Sequence, residues 1–441
     1  MDDAADRTPL DAAHQTPHVY NLYPRLAGQM PSWPAHAARA ASMGFDWLYL
    51  NPWHYPGFSG SCYAVKDHAR VDPLLLPEGH PDKHYDPVTH ADGSLGVLRE
   101  TLSLIRAQGL HPIMDLVLNH TSRDSLLVHE HPMWFVRDAH GEILSPWAID
   151  PADARKVTVW GDLAEIDNAG SSDRDCLWGY WIHVVETAVQ LGFDGFRCDA
   201  AYKVPAALWR ELIGAAEALR PGILFFGETL GARLEEIESL RESGLQFNFN
   251  SSKWWSFDEP WCLDQQRAQP EWIRSVSFPE SHDTPRLWSE SGGRIGVQRQ
   301  RYAFGAAFAS GMMMPVGYEF GFQRRIDVVS TKAEDWEAPN ADLTAFIARV
   351  NRVRREHPAL TSEVVEAVMP LDRATLLLEK RGPSSEAYVA INKDWHGTQT
   401  IDLPDATRGR RVLRVCRDNA PADEQSGAHL ELEPAEVAYL V

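Results

Sequence analysis

The stretch GFDGFRCDA (192–200) describes a short buried strand that ends in Arg197 and Asp199. An amphipathic segment at about 175–191 precedes it and stops at a glycine, and Pro205 opens a further helix after it. A glycine just past the last turn supplies a left-handed helix end, and proline is tolerated in a first helical turn. The stretch therefore predicts a helix–strand–helix unit of the kind that builds parallel sheets.

Seven further apolar runs repeat this alternation with helical segments. The eight runs are HVYNLY (18–23), DWLYLNP (46–52), HPIMDLVLN (111–119), FDGFRCDA (193–200), GILFFGE (222–228), LQFNFN (245–250), RSVSFPE (274–280) and MMMPVGYEF (312–320). Helices are predicted at about 32–43, ending at Gly44, and at about 94–108, ending at Gly109. Eight such units in about 340 residues predict a closed (β/α)8 TIM barrel rather than an open sheet.

Two parts of the chain break this alternation. Residues 121–172, between strands 3 and 4, are too long for a structureless loop, and we predict an inserted subdomain there. Short alternating segments after about residue 361 predict a C-terminal antiparallel β-sandwich. The expected domains are a disordered tail at 1–16, a catalytic barrel at 17–120 and 173–360, the inserted subdomain at 121–172 and the β-sandwich at 361–441.

The composition excludes several classes of partner. Lysine and arginine number 42 against 62 aspartate and glutamate residues, which gives a net charge of −20. Such an acidic chain is not expected to bind nucleic acid or an anionic membrane, and without a run of 18 apolar residues it is not expected to span one. Five widely spaced cysteines and an acidic start without a signal peptide predict a cytoplasmic protein. The oligomeric state is left open.

Polar side chains collect at the ends of four predicted strands. Strand 3 ends in Asp115, Asn119 and His120, strand 4 in Arg197 and Asp199, strand 5 in Glu228, and strand 7 in His282 and Asp283. The carboxyl ends of barrel strands share one mouth, where the catalytic groups of barrel enzymes lie. Each residue alone has an ordinary structural explanation, as a helix cap, a turn former or a hydrogen-bonded core histidine. Their alignment at four strand ends predicts a catalytic site.

These strand ends resemble the ordered motifs of the alpha-amylase family, glycoside hydrolase family 13. The matching stretches are DLVLNH (115–120), GFRCDA (195–200), FFGETL (225–230) and FPESHD (278–283), with YAVKDHARVDP (63–73) and WGDLAEIDN (160–168) in their expected places. The resemblance implies a retaining enzyme for α-glucosidic bonds that needs no cofactor. It also implies that Asp199 is the nucleophile, Glu228 the general acid/base and Asp283 the transition-state stabiliser.

The implied chemistry explains these residue types. In a retaining mechanism two carboxyl groups lie about 5–5.5 Å apart across the anomeric carbon. One carboxyl is ionised to attack, and the other is protonated to release the leaving oxygen and later acts as a base. Arg197 lies two residues before Asp199 on the same strand face, and we expect its guanidinium to keep the nucleophile ionised.

The resemblance also assigns substrate-binding and supporting side chains. It implies that Tyr63 stacks on the sugar ring being cleaved, although a core tyrosine is the alternative. His120 and His282 are expected to hydrogen-bond sugar hydroxyls, while Asp115 and Asn119 brace the mouth. Asn119 resembles a calcium-binding position of many amylases, but we expect no metal here.

A finer resemblance concerns the flanking sequences. The α-1,4-glucan maltosyltransferases that use maltose 1-phosphate are similar to this chain in YNLYPRLAG (20–28), EHPMWFVRDAHGEI (130–143), FNSSKWW (249–255), GYEFGF (317–322) and KAEDWEAPNADLTAFIARVNRVRREHPAL (332–360). The chain departs from them after the nucleophile, where Ala200-Ala201-Tyr202-Lys203 stands in place of an Asn-Pro-His-type sequence. Lys203 is either a contact for a phosphate or sugar hydroxyl, or a solvated lysine at a helix start.

The expected substrate is an α-1,4-glucan or maltooligosaccharide, with a sugar phosphate as a further candidate donor. Hydrolysis and transfer share their first half-reaction, so the catalytic trio does not choose between them, and the finer resemblance favours transfer. Two alternatives stay open. One is a hydrolytic alpha-amylase or α-glucosidase, and the other is an inactive glycan-binding protein on the same fold.

Overall fold

Eight parallel strands close into a barrel in the computed structural model, which describes residues 16–83, 92–150, 153–419, 421 and 423–441. The strands are His18–Leu22 (β1), Trp47–Leu50 (β2), His111–Leu116 (β3), Gly195–Cys198 (β4), Leu224–Gly227 (β5), Phe247–Phe249 (β6), Arg274–Ser277 (β7) and Gly311–Pro315 (β8). They pair in the order β1-β8-β7-β6-β5-β4-β3-β2, and β2 returns to β1. The predicted barrel is confirmed. Apart from Thr16, the tail predicted at 1–16 lies outside the described residues.

Helices connect successive strands on the outside of the barrel. Those of eight or more described residues are Trp33–Ser42 (α1), Asp92–Arg106 (α2), Arg174–Leu191 (α3), Ala206–Leu219 (α4), Trp261–Ala268 (α5), Ile295–Phe308 (α6) and Thr344–Glu356 (α7). Shorter helices are Pro24–Ala27, Leu126–Glu130, Leu234–Glu238 and Leu287–Glu290. Gly44, Gly109 and Gly192 lie just after α1, α2 and α3 with φ of +84°, +82° and +117°, as their predicted role at helix ends requires.

The barrel interior is filled by large apolar side chains from alternate strand positions. The inner cluster consists of Val19, Trp47, Tyr49, Ile113, Phe226, Phe247, Phe249, Val276, Phe278 and Met313. Gly195 on β4 makes room for this cluster, because a Cβ atom there would lie 3.1 Å from the Trp47 ring and 3.1 Å from the Leu224 carbonyl oxygen. The interior is therefore a packed core, and polar chemistry is confined to the mouth.

The segment between β3 and α3 contains short strands of its own. His120–Ser122 pairs with Leu163–Glu165, and Trp147–Asp150 pairs with Asp153–Val159, both antiparallel. A third hairpin, His54–Pro56 with Val65–Val71, follows β2. Because these hairpins leave the carboxyl ends of β2 and β3, they form walls around the mouth. The insert is thus structured, while its boundaries at 121–172 stay a prediction.

The chain after α7 forms two antiparallel sheets. The strands are Val365–Ala367 (β9), Thr375–Arg381 (β10), Glu386–Asn392 (β11), Gln399–Asp402 (β12), Val412–Leu413 (β13), His429–Leu432 (β14) and Val437–Leu440 (β15). A five-stranded sheet has the order β9-β10-β11-β15-β13, and β12 pairs with β14. Leu377 belongs to a core shared with the two-stranded sheet, whereas Leu376 and Leu378 belong to the main core of the barrel layer. The expected C-terminal sandwich is therefore present.

No helix in the described part of the chain has the length and apolarity that crossing a bilayer requires.

The Glu363 carboxylate joins the C-terminal part to the end of the barrel opposite the mouth. It accepts hydrogen bonds from the backbone N–H groups of Ser275 and Ser310, each at 3.0 Å. It also accepts from Ser275 Oγ at 2.7 Å, from Gln266 Nε2 at 2.6 Å and from the Ser310 hydroxyl. Ser275 lies at the start of β7 and Ser310 directly precedes β8, so one side chain holds two strand starts together.

We expect Glu363→Ala to lower the free energy of unfolding by about 2–3 kcal/mol, because unsatisfied buried polar groups cost about 1–3 kcal/mol each. Urea denaturation followed by circular dichroism measures the change. Glu366→Ala is the matched control, since this exposed carboxylate lies 3.9 Å from Arg381 Nη2 in a surface pair. The control should stay within about 0.5 kcal/mol of the parent. Wild-type stability of Glu363→Ala would contradict the role of this carboxylate.

Candidate active site

Asp199 and Glu228 follow two residues that are paired across adjacent strands. Cys198 at the end of β4 lies opposite Gly227 at the end of β5. Neighbouring strands are about 4.8 Å apart, so the next residue of each strand lies beside the other at the mouth. The backbone N–H of Ala200 donates to Glu228 Oε2 at 3.0 Å. The structure therefore brings these two predicted residues together.

The guanidinium of Arg197 lies between two carboxylates. Its Nη1 donates to Asp199 Oδ1 at 2.6 Å and to Asp115 Oδ1 at 3.0 Å. Arg197 and Asp115 are directly opposite in the pairing of β4 with β3, and both are buried. Burial raises the pKa of Asp115, whereas the Arg197 charge lowers it. Asp115 thus contacts Arg197 beneath the mouth, and its role in bracing the mouth stays a prediction.

A hydrogen-bond network connects Asp115 to Asp283 across the mouth. The Tyr63 hydroxyl donates to Asp115 Oδ2 at 2.6 Å and lies 2.7 Å from His282 Nε2. The same His282 nitrogen lies 3.1 Å from Asp283 Oδ2. The Tyr63 and His282 rings stack with centroids 5.6 Å apart and planes 7° apart. Burial lowers the pKa of His282, so a neutral imidazole positions the exposed Asp283 carboxylate.

Three residues that the motif comparison missed complete this network. The Tyr49 hydroxyl donates to Asp115 Oδ2 at 2.6 Å. Asn51 Nδ2 donates to the hydroxyls of Tyr49 at 3.1 Å and Tyr63 at 3.0 Å, and Asn21 Nδ2 donates to Asn51 Oδ1 at 2.8 Å. Both amides are fully buried at the ends of apolar strands. The sequence feature that could have identified them is an asparagine near the end of an apolar run, as in YNLY (20–23) and LYLNP (48–52).

The Glu228 carboxyl has a pKa in the neutral range. Burial raises the pKa of Glu228 to about 7. The Arg197 charge lowers this pKa, whereas the charges of Asp199 and Asp283 raise it. A carboxyl with such a pKa carries its proton in many molecules at neutral pH, which is the property a general acid needs.

The turn after Asp199 is held in a left-handed conformation. Ala200 has φ 42° and ψ 48°, a region that costs a residue with a Cβ about 1–2 kcal/mol. This turn places the Ala200 N–H at Glu228 Oε2, while the Leu230 N–H donates to Glu228 Oε1 at 2.9 Å. Two backbone donors therefore fix the orientation of the Glu228 carboxyl, and strain of this kind is found at functional sites.

His120 and Asn119 lie in the wall made by the insert. His120 is buried; burial lowers its pKa, and the Asp199 charge and the Tyr63 backbone oppose this. Neither ring nitrogen of His120 has a hydrogen-bond partner of normal geometry among the described residues. The Asn119 carbonyl oxygen accepts from the Ile166 N–H at 3.0 Å, which ties β3 to the insert. His120 thus adjoins the site, while Asn119 supports its wall.

Lys203 is exposed at the outer side of the site. Its Nζ lies 5.5 Å from the ring centroid of Trp147 and 5.4 Å from that of Tyr202. It therefore lies among aromatic rings, beside the candidate catalytic groups rather than among them. In the part of the chain that the structure describes, no group of three or more His, Cys, Asp or Glu side chains could hold a metal ion, and the metal-free site stays a prediction.

Known proteins are similar to this chain in sequence. A family model for the glucanotransferase domain of glycogen debranching enzyme matches residues 14–139. Alpha-1,4-glucan:maltose-1-phosphate maltosyltransferases from Burkholderia pseudomallei and Pseudomonas aeruginosa are 25% and 24% identical to this chain over 86% and 94% of its length. The alignments span 33% and 60% of those two relatives.

The fold is shared with solved structures of similar size. An alpha-amylase from Lactobacillus plantarum superposes with a TM-score of 0.77 at 19% identity, covering 97% of this chain and 99% of the other. A trehalulose synthase from Pseudomonas mesoacidophila has a TM-score of 0.76 at 15% identity, covering 98% and 100%. The curated relatives are thus similar to this chain over most of its length, the solved structures share its fold, and the ordered motifs at the barrel mouth resemble those of the alpha-amylase family, glycoside hydrolase family 13.

Proposed function

We propose that the chain is a retaining enzyme that breaks α-1,4-glucosidic bonds and passes the released glucosyl unit to an acceptor sugar. The observation that carries the proposal is the placement of Asp199 and Glu228 side by side at the ends of β4 and β5. One carboxylate forms an ion pair with Arg197, and the other has a pKa raised to about 7. Adjacent carboxyl groups in such different surroundings suit a nucleophile and a general acid.

The proposed reaction has two displacement steps. In the first, an Asp199 oxygen attacks the anomeric carbon, the glycosidic C–O bond breaks, and Glu228 transfers its proton to the departing oxygen. In the second, an acceptor hydroxyl gives its proton to Glu228, and the acceptor oxygen displaces Asp199 from the same carbon. Each displacement inverts the anomeric centre, so the product retains the α configuration.

The other side chains of the mouth orient the sugar in this proposal. Asp283 and His120 hydrogen-bond hydroxyls near the reacting carbon, and His282 positions Asp283 while also facing the sugar. Tyr63 stacks on the ring being cleaved. Two observations support these roles. Polar contacts link Tyr63, His282 and Asp283, and the ring nitrogens of His120 have no hydrogen-bond partner of normal geometry among the described residues, so they are available to a sugar hydroxyl.

We propose an α-1,4-glucan or maltooligosaccharide as donor and a sugar hydroxyl as acceptor. The curated relatives are maltose-1-phosphate maltosyltransferases, so maltose 1-phosphate is a second donor to test. Lys203 supplies a cation near the site, but the carboxylates of Glu165 and Glu236 also interact with it. These negative charges weaken phosphate binding at Lys203, and they favour an uncharged glucan there. We also propose a cytoplasmic location, which is supported by five cysteines that form no disulfide.

A maltooligosaccharide series tests the reaction. We expect longer products with little release of reducing ends, because the proposed acceptor is a sugar hydroxyl. Rapid release of maltose and glucose without longer products would instead identify a hydrolytic amylase or α-glucosidase. Binding without any product, with maltose 1-phosphate also untouched, would sink the enzymatic proposal and leave a glycan-binding protein.

Asp199→Ala should reduce turnover by about 10⁴-fold or more, as removal of a covalent nucleophile does in other enzymes. Initial rates on maltoheptaose measure the loss, and circular dichroism checks that the fold is kept. Asp264→Ala removes an exposed carboxylate of α5 and serves as the matched control with near-parental activity. Near-parental turnover in Asp199→Ala would refute the assignment of the nucleophile.

The raised pKa of Glu228 predicts the alkaline side of the pH profile. Below about pH 6 this carboxyl is mostly protonated, and it loses its proton as the pH rises through about 7. Because the first displacement needs that proton, kcat should fall on the alkaline side with a midpoint near pH 7. Rates measured from pH 5 to 9 test this. A plateau that extends to pH 9 is incompatible with Glu228 as the general acid.

A further inference from the structure

We propose that one face of the hairpin Trp147–Asp150/Asp153–Val159 is a binding surface for an α-glucan chain outside the catalytic mouth. The face is defined by Trp147, Val157 and Val159. The proposal rests on the proposed function for the identity of the sugar. It extends that function by assigning a contact for sugar units that lie beyond the bond being cleaved.

The three residues share one side of the hairpin. Trp147 lies directly opposite Val159 in the strand pairing, and Val157 is two residues from Val159 on the same strand. Side chains of directly paired residues, and of residues two apart on a strand, point to the same face. Trp147 is 50% exposed, Val157 is 54% exposed and Val159 is 60% exposed. A contiguous exposed apolar face of this kind commonly marks a binding site.

The face is continuous with the candidate active site. Lys203 Nζ lies 5.5 Å from the Trp147 ring centroid and 5.4 Å from the Tyr202 ring centroid. Tyr202 directly follows Ala201, whose backbone N–H donates to the Glu228 carbonyl oxygen at 2.9 Å, so Tyr202 lies close to the proposed catalytic carboxyl groups. A surface therefore leads from Glu228 past Tyr202 and Lys203 to Trp147.

The chemistry of this surface fits a neutral glucan better than other partners. The flat Trp147 ring and the adjacent valines match the apolar C–H faces of glucose rings, while Lys203 and the Tyr202 hydroxyl can bond the hydroxyl edges. A polyanion is disfavoured because the chain carries a net charge of −20. Three exposed side chains are also too few for a stable protein partner, which buries about 800 Å² on each side.

Calorimetric titration in a Glu228→Gln background tests the proposal, since this variant lacks the general acid and binding is read without turnover. We expect Trp147→Ala to weaken maltoheptaose binding by about 3- to 10-fold, the range for loss of one aromatic contact. The loss for maltotriose should be smaller, because a shorter chain has fewer sugar units beyond the bond being cleaved that could contact the hairpin. Trp147→Tyr should restore most of the affinity, since an aromatic face is kept.

Leu219→Ala is the matched control, because it removes an exposed apolar side chain at the end of α4, away from the mouth. Unchanged maltoheptaose affinity in Trp147→Ala overturns the proposal. An equal loss for maltotriose and maltoheptaose, or an equal loss in Leu219→Ala, also overturns it. A failure of the proposed function would be detected in a different experiment. The wild-type chain would then form no product from maltooligosaccharides, whatever the binding titrations give.

Discussion

The buried contact between Arg197 and Asp115 is the constraint on which the barrel mouth depends. Both side chains are excluded from water, and the pairing of β4 with β3 sets them opposite each other. Removing Arg197 would leave the buried Asp115 carboxylate without its ion-pair partner, and breaking a buried pair in this way costs about 3–5 kcal/mol. The same guanidinium also holds Asp199, so the position of the proposed nucleophile is set by strand pairing rather than by a loop. Polar contacts through Tyr63 and His282 then link Asp115 across the mouth to Asp283.

Much of the barrel could be predicted because strands of a parallel sheet are buried on both faces and appear as short apolar runs. Each of the eight runs contains or overlaps one barrel strand, and β4 lies inside the run at 193–200. The order of the motifs also placed Asp199 and Glu228 at successive strand ends. Since successive strands of such a barrel are neighbours, their proximity followed from chain order alone. The domain boundaries, by contrast, stay predictions.

The rest of the site depends on distances that a linear sequence does not contain. Tyr49 lies 66 residues from Asp115 in the chain, and only barrel closure directs its hydroxyl to that carboxylate. Ala200 takes a left-handed conformation, which is usually adopted by glycine. Because position 200 is an alanine, the local sequence did not predict this turn. The pKa of Glu228 likewise follows mainly from burial, a property of the assembled mouth.

The barrel and the C-terminal sheet share a hydrophobic core, so we do not expect them to be separable into independent fragments. Leu376 and Leu378 of the five-stranded sheet pack in the main core, and the Tyr439 hydroxyl donates to the Ala303 carbonyl oxygen of α6 at 2.6 Å. A recombinant fragment that stopped before β9 would expose the apolar side chains that pack against this sheet to water, and the fragment would be expected to aggregate. The barrel and the sheet should instead melt as one cooperative unit, so engineered versions of the enzyme need to retain both.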